Sequence, residues 1–425
     1  MNEAPAQAPP ARGQTPGGGS GHLGAIFLTV FMDLLGFGLV MPLLPRYAQT
    51  LDASSLQIGL LGAAYSGMQF VFVPVWGRLS DRIGRRPVLL GSILATSASM
   101  LMLGFAGSLV WLFVARLFGG MATANIATAQ AYIADTTTRG KRARGMGLIG
   151  MAFGLGFILG PFFGGILSTY DLGMPAKVAA GLALLNFFWA WRALPESLSK
   201  ELREKNRDHR EKLRIGLDLA VLRKTWSVPG LAIIIVLFFV VVASFSNLEQ
   251  TFALYTHDEF GLDSKHTGYI LGVVGLVSAI VQGALIGPLN RRFGEIRLIR
   301  VGTILQSIGM GMFVLAAGHR PAVLYGCSVV LSFGNGLTNP SLPSLASKRA
   351  PPEMQGGSLG VLQSMGALAR VFGPTWGGFV YGLGHRLPYI TGAAGLLLAW
   401  FLALSLRRRR DEPVMDARSE PVGLE

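Results

Sequence analysis

Long apolar segments alternate with short polar ones along most of the chain. Segments of about 18 to 25 apolar residues are long enough to cross a hydrocarbon layer about 30 Å thick as α-helices. The pattern therefore predicts an all-α integral membrane protein with twelve spans. The predicted spans are 23–45, 57–76, 87–107, 109–134, 146–169, 176–194, 229–255, 266–289, 298–318, 321–345, 356–383 and 386–406.

Composition and charge support a membrane protein. Hydrophobic residues make up 51% of the 425 residues and charged residues 14%, more apolar surface than one water-facing core would bury. Of the 37 Lys and Arg residues, thirty fall in segments on one side of the predicted topology and five on the other. This asymmetry is the positive-inside rule and places both termini in the cytoplasm. The net charge of +14 therefore indicates topology and does not indicate nucleic-acid binding.

The polar segments divide the chain into five parts. We predict a disordered cytoplasmic tail at 1–21, a six-helix bundle at 22–194, a cytoplasmic linker at 195–227, a second six-helix bundle at 228–406 and a basic tail at 407–425. The linker is dense in charges of both signs, which favours a solvated segment over a regulatory domain.

Two internal matches indicate that the bundles are copies of one unit. The loop Gly77–Arg86 after span 2 recurs as Gly287–Glu295 after span 8, and Gly160–Gly165 in span 5 recurs as Gly373–Gly378 in span 11. The offsets are nearly equal, so the bundles are predicted to be pseudo-symmetric with a transport site between them. The second loop lacks the aspartate and offers Asn290 in its place, which predicts a weaker or differently paired second loop.

The loop after span 2 has the features of a conformational lock. Glycine allows close helix approach at Gly77 and a positive φ at Gly84. The carboxylate of Asp81 suits the partly positive N-terminus of another helix. Arg82, Arg85 and Arg86 are predicted to reach a carboxylate such as Asp135. Such a charge cluster forms in one conformation and breaks in another; the alternative is that the arginines only report topology.

Span 5 is predicted to pack closely against another helix. Gly156, Gly160 and Gly164 are spaced four apart on one face, Gly165 follows directly, and Pro161 bends the helix.

Charged residues within spans are functional candidates because each is costly in hydrocarbon. Asp33 lies about 15 Å from the inner surface and Arg116 about 10 Å from the outer one, at 1.5 Å per residue. They lie at similar depths and could pair. Asp33 is the predicted proton-coupling or substrate-cation site, or else half of a structural ion pair, and Arg116 holds Asp33 or a substrate anion, or anchors its helix.

Two further charges and two amides complete the candidate cavity. Arg370 in span 11 is predicted to face substrate or a carboxylate, or to be structural. Glu249 lies close to the outer end of span 7 and takes part in coupling or gating, or forms a solvated rim. Asn125 and Gln363 either line the cavity or hydrogen-bond between helices.

Together these residues resemble the major facilitator superfamily, and within it the twelve-span drug:proton antiporters that include the tetracycline efflux proteins. The resemblance covers residues 23–406 and rests on the 77–86 loop, on Asp33–Pro45, on Arg116–Gly120 and on Gly150–Gly165. It implies the major facilitator fold of two bundles around a central cavity, and alternating access powered by the proton gradient. It also implies an antiporter role for the span 5 motif.

The leading functional prediction is export of a small amphipathic or hydrophobic compound in exchange for protons. Symport or facilitated transport of a sugar or organic acid is the alternative, and a non-transporting membrane receptor is the third. The chain contains no HExxH and no P-loop sequence, so we predict neither an enzyme nor an ATP-driven pump. Cys327 is the single cysteine and the histidines lack ligand spacing, so no metal or cofactor is expected. We expect a monomer in the inner or plasma membrane, in contact with lipid.

Overall fold

Helices occupy all twelve predicted segments. The computed structural model describes residues 19–123, 125–137, 139–198, 203, 223, 225–228, 230–351 and 354–406. The predicted 407–425 tail, nearly all of the 1–21 tail and most of the 195–227 linker lie outside these residues. Among the described residues there is no β-strand, so the prediction of an all-α protein is confirmed.

The first half contains eight helices, labelled here in chain order. They are α1 Gly19–Val40, α2 Leu44–Gln49, α3 Ser55–Ile83, α4 Arg85–Gly104, α5 Leu109–Ala122, α6 Asn125–Thr136, α7 Arg139–Leu167 and α8 Met174–Ala193. Predicted span 1 ends earlier than expected, at Val40, where Pro42 lacks the N–H that would continue the helix. Predicted span 4 is divided between α5 and α6, because Thr123 has the extended backbone angles φ −73° and ψ 97°.

The second half contains seven α-helices and one π-turn. They are α9 Leu231–Phe260, α10 Ser264–Ile280, the π-turn Val281–Leu285, α11 Ile286–Phe293, α12 Glu295–Ala316, α13 Val323–Arg349, α14 Gln355–Leu383 and α15 Leu387–Leu404. Predicted span 8 is therefore a composite of α10, the π-turn and α11.

Nine helical stretches in the described part of the chain are long and apolar enough to cross a membrane. They are Leu23–Val40, Ser55–Ile83, Arg85–Gly104, Leu109–Thr136, Leu148–Leu167, Leu231–Phe260, Ser264–Phe293, Glu295–Ala316 and Leu387–Leu404. The other three predicted spans correspond to α8, α13 and α14, helices of 20, 27 and 29 residues with more polar or small side chains. Their crossing of the membrane stays a prediction.

The helices pack in the same pattern in both halves. In the first half α1 packs on α7 and α8, α4 on α5 and α8, and α3 on α5. In the second half α9 packs on α14 and α15, α12 on α13 and α15, and α10 on α13. Each contact of the first half has its counterpart in the second, as expected for two copies of one unit.

Two helix pairs make the main contacts between the halves, and we call them seams. The first seam is α3 against α14, and the second is α7 against α10, which the π-turn and α11 continue toward its other end. At Gly59 in the first seam a β-carbon would overlap the Pro374 carbonyl oxygen, and at Gly268 in the second a β-carbon would lie 2.5 Å from the Pro161 carbonyl oxygen. Both seams therefore have backbone-to-backbone contact.

The seams open toward the end of the molecule that carries Asp81 and Arg85, which we call the charged end. In the first seam a β-carbon at Gly67 would lie 3.9 Å from Val371, and one at Gly77 would meet nothing within 4 Å. In the second seam β-carbons at Gly150 and Gly287 would meet nothing within 4 Å. The halves touch at the opposite end and separate at the charged end.

The π-turn absorbs one extra residue. The N-cap residues Ser54 and Asp263, and the seam residues Gly59 and Gly268, are each 209 positions apart, whereas Gly77 and Gly287 are 210 apart. The added residue therefore lies between Gly268 and Gly287, where Val281–Leu285 form the wider turn.

Candidate functional site

Asp33 lies in the interior of the first half beside a small cavity. Asn125 Nδ2 at the start of α6 donates a hydrogen bond to Asp33 Oδ1 over 2.6 Å. The cavity has a volume of about 20 Å³, room for about one water molecule. Its lining residues include Asp33, Phe37, Tyr65, Met100 and Thr123. The carboxyl group thus faces a space lined mainly by aromatic and apolar side chains.

Tyr65 on α3 connects this cavity to the break between α5 and α6. The hydroxyl of Thr123 donates to the Gly119 carbonyl oxygen over 2.8 Å, so Tyr65 is the donor in the 2.8 Å hydrogen bond between Tyr65 and Thr123. Neither residue was predicted from sequence, because only charged and amide side chains within the spans were taken as candidates for the cavity.

Arg116 does not pair with Asp33, contrary to expectation. It is 1% exposed and its guanidinium carbon lies 4.1 Å from the centroid of the Tyr65 ring. Its donors contact the Leu61 carbonyl oxygen at 3.5 Å and the Met41 sulfur at 3.2 Å. The sequence gives only the position of each charge along its helix, whereas pairing also depends on helix rotation. The arginine is instead held as a cation over an aromatic face.

Glu249 and Arg370 lie near each other at the first seam. Both are half-buried, and the charges of Arg116 and Arg370 interact with that of Glu249. Within the described residues neither makes a hydrogen bond or ion pair. The next residue along, Gln250, donates to the Ile58 carbonyl oxygen on α3 over 2.9 Å.

Helix α9 is longer than the predicted span, and this changes the depth of Glu249. The helix continues to Phe260, eleven residues beyond Glu249, or about 16 Å at 1.5 Å per residue. The residue is therefore well within the helix and not at its rim. Gln363 is exposed on α14 and is not among the residues that line the Asp33 cavity.

A first charge cluster occupies the charged end of the first half. Arg85, the first residue of α4, contacts Asp81 at 2.5 Å and Asp135 at 3.0 Å, and donates to Ser80 Oγ over 2.6 Å. Gly84 has φ 113°, which favours glycine. The contact with Asp135, predicted for Arg82, Arg85 and Arg86, is thus made by Arg85. The close helix approach predicted at Gly77 is absent, because the first seam has opened at that level.

Glu196 completes this cluster and was missed from sequence. Its carboxylate accepts hydrogen bonds from the backbone N–H groups of Arg85 at 2.8 Å and Arg86 at 3.2 Å. It also pairs with Arg203 at 3.0 Å. A carboxylate at a helix N-terminus is favourable. The residue lies in the charged segment that was interpreted as a solvated linker, and Pro195 directly after a span was an available signal.

The corresponding place in the second half holds a second charge cluster, Asn290, Glu295, Ser344 and Lys348. Glu295 accepts hydrogen bonds from Asn290 over 3.1 Å and from Ser344 over 3.0 Å, and it forms an ion pair with Lys348. Asn290 is the counterpart of Ser80, one position from where the aspartate was expected. The prediction that the second loop is differently paired describes this arrangement.

The glycines of predicted span 5 lie against α1. β-Carbons at Gly156 and Gly160 would come within 2.8 Å of Leu34 and 2.6 Å of Gly38, and one at Gly164 would overlap the Leu39 carbonyl oxygen. Gly165 instead faces α10, where a β-carbon would lie 3.2 Å from Gly268. Through this motif α7 packs on one side against α1 in its own half and on the other against α10 in the second seam. Pro161 lies inside the helix.

Comparison with known proteins gives consistent matches over nearly the whole chain. A family model described as "Major Facilitator Superfamily" matches residues 26–374 and 287–422. "Tetracycline resistance protein, class C" of Escherichia coli is 31% identical over 392 residues, covering 89% of this chain and 97% of that protein. "Multidrug resistance protein 2" of Bacillus subtilis (strain 168) is 29% identical over 384 residues, covering 90% and 94%.

A solved structure agrees with these matches. The crystal structure of the human organic anion transporter MFSD10 (TETRAN) superposes with a TM-score of 0.67 at 28% identity, and the match covers 92% of this chain and 100% of that one.

Proposed function

Because this chain belongs to the major facilitator superfamily, we propose that it exports a small amphipathic or hydrophobic compound in exchange for protons by alternating access. The curated relatives described above carry the names of multidrug and tetracycline resistance proteins, which supports a drug-like substrate. We further propose that the charged end faces the cytoplasm, in agreement with the distribution of Lys and Arg.

The main support for this proposal is the environment of the Asp33 carboxyl group. Its carboxyl group borders the cavity, accepts a hydrogen bond from Asn125 and has no ion pair to a described residue. An ionised carboxylate without a cation is costly in a membrane interior. Such a group can take up a proton in one conformation and release it in another. We assign the exchanged proton to Asp33, with Glu249 as a second carboxyl group near the first seam.

The two seams support alternating access. They are packed through glycines at one end and separated at the charged end, as in a transporter whose site is open to one side. The cavity lined by Phe37, Tyr65 and Met100 beside Asp33 has room for about one water molecule, which suits a proton site and not the substrate surface.

Transport of an organic acid is the second candidate. Arg116 and Arg370 place two permanent positive charges near Glu249, an arrangement able to bind a carboxylate. The human relative of known structure carries the name of an organic anion transporter. Import of an organic acid with a proton would reverse the sign of the proton movement measured below.

The test uses everted membrane vesicles with an acidic interior. Addition of substrate drugs, with tetracycline and a hydrophobic dye as the first probes, is expected to release protons from the vesicles containing the protein. Asp33→Asn should abolish this proton release and active accumulation of the drug. Asp52→Asn is the matched control, because Asp52 lies in a turn with φ 58°, which asparagine also tolerates. Full proton exchange by Asp33→Asn would disprove the assignment.

A further inference from the structure

The two charge clusters have opposite signs at equivalent positions. Each pair below is related by the internal repeat, and each exchanges an acidic residue for a basic one. The pairs are Asp81 and Arg291, Arg85 and Glu295, and Asp135 and Lys348. The glycines that shape the turn are unchanged, since Gly84 and Gly294 both have positive φ.

Both clusters are nevertheless formed. Arg85 binds Asp135 and Ser80 in the first, while Glu295 binds Lys348 and Asn290 in the second. Reversal therefore preserves the contact of Arg85 with Asp135 as that of Glu295 with Lys348. The ion pair of Arg85 with Asp81 is not repeated, since Arg291 forms no ion pair with Glu295, and Asp81 and Arg291 carry opposite charges at equivalent positions.

Asp81 and Arg291 would each approach a different helix when their seams close. In the first seam Gly67 lies opposite Val371. Continuing this antiparallel register by fourteen residues brings Asp81 to the level of Gly357, in the first turn of α14. That turn carries no acidic residue, and a helix N-terminus attracts a carboxylate.

The second seam gives the opposite result. There Gly154 lies opposite Ala279, and a β-carbon added at Gly154 would lie 3.2 Å from that of Ala279. Arg291 lies twelve residues further along, of which the π-turn absorbs one, and this brings it to the level of residues 142–144 in the first turns of α7. The sequence of these turns, Arg139–Arg144, contains four basic residues. Arg291 itself is exposed and forms no hydrogen bond or ion pair with any described residue. Its charge would meet both like charges and a positive helix N-terminus.

We propose that Arg291 is a positioning residue of the transport cycle that opposes closure of the second seam at the charged end. The contacts of Glu295 with Asn290 and Lys348 join α11, α12 and α13, so this repulsion acts on the whole second half. The device favours the conformation open at the charged end. The proposal rests on alternating access but requires neither proton exchange nor drug export.

The test measures the second seam directly in the full chain. Spin labels are attached through Gly150→Cys and Gly287→Cys in a Cys327→Ala background, since both glycines have open space around them. Distances are measured without substrate in nanodiscs of phosphatidylcholine, which has no net charge. Arg291→Ala should raise the closed-to-open ratio roughly three- to tenfold, as expected for the loss of one like-charge contact at about 10 Å. Arg291→Asp should raise it further.

Matched controls separate this effect from a general loss of charge. Arg292→Ala removes the adjacent exposed arginine, which matches Arg82 in sign and lies over the Phe293 ring. It should leave the ratio near that of the unmodified protein. Raising salt from about 0.05 M to about 1 M screens surface charges beyond about 3 Å and should close the seam in the unmodified protein, but not in Arg291→Ala.

An Arg291→Ala distribution equal to that of the unmodified protein, or a shift matched by Arg292→Ala, would overturn the proposal. A shift toward the open state would also overturn it. Each result is independent of the vesicle assay, because no substrate or proton gradient is present. Failure of drug transport and failure of this gate are therefore separate outcomes.

Discussion

Substitution of a single seam glycine should change the balance between the two conformations. At Gly59 a β-carbon would overlap the Pro374 carbonyl oxygen and lie 3.2 Å from Gly378. Gly59→Ala therefore forces α3 and α14 apart at the end where they now touch. Overpacking of this kind costs about 1–3 kcal/mol. In the conformation open at that end the contact is absent, so the cost falls on one state alone.

The expected result is an equilibrium shift of roughly 5- to 150-fold toward the conformation closed at the charged end, which is the equivalent of about 1–3 kcal/mol. Gly268→Ala should act in the same direction, because a β-carbon there would lie 2.5 Å from the Pro161 carbonyl oxygen and 3.0 Å from Gly165. The measurement is the spin-label distance across the second seam, in the same nanodiscs as above.

Alanine also favours helix over glycine by up to about 1 kcal/mol, but this gain is equal in both conformations and cancels. Gly91→Ala and Gly181→Ala are the controls, since a β-carbon at either site would meet nothing within 4 Å. If Gly59→Ala gives the same distances as these controls, the seams are not the contacts that exchange during transport, and the reasoning fails.

Two further predictions concern the charge clusters. Glu196 accepts hydrogen bonds from two backbone N–H groups of α4. Glu196→Gln should therefore lower the melting temperature of the detergent-solubilised protein and destabilise it by about 1 kcal/mol, as for loss of a helix cap. An unchanged melting curve would contradict a capping role. Glu295→Arg and Lys348→Asp should each impair drug transport by placing like charges together, whereas the double variant, which copies Arg85 and Asp135, should recover most of it. Failure of the double variant to exceed the single ones would show that the clusters are not equivalent.

Most helices were predictable because apolar segments of the required length are rare outside membranes. The turn at Gly84 and the partnership of Arg85 with Asp135 were also predictable, since glycine marks the turn and oppositely charged residues flank it. The partners of Arg116 were not. Sequence gives depth along a helix, whereas the choice between Asp33 and the Tyr65 ring depends on helix rotation and on the break at Thr123.

The role of Glu196 and the sign reversal were missed for different reasons. Glu196 was not singled out because it lies among many charged residues, a pattern that predicts a solvated segment. The sign reversal is present in the sequence. It was missed because Asn290, which resembles an aspartate more closely than Arg291 does, was aligned with Asp81. The contacts of Glu295 with Lys348 and Asn290 fix the correct register.

The π-turn explains how a membrane helix tolerates a change in length. One residue added to a regular α-helix would rotate everything beyond it by about 100° and lift it by 1.5 Å. Asn290 and Glu295 would then turn away from their partners. Here the wider turn at Val281–Leu285 takes up the extra residue, and Asn290 and Glu295 keep the orientation of Ser80 and Arg85. The two halves thus differ in length and keep a common geometry.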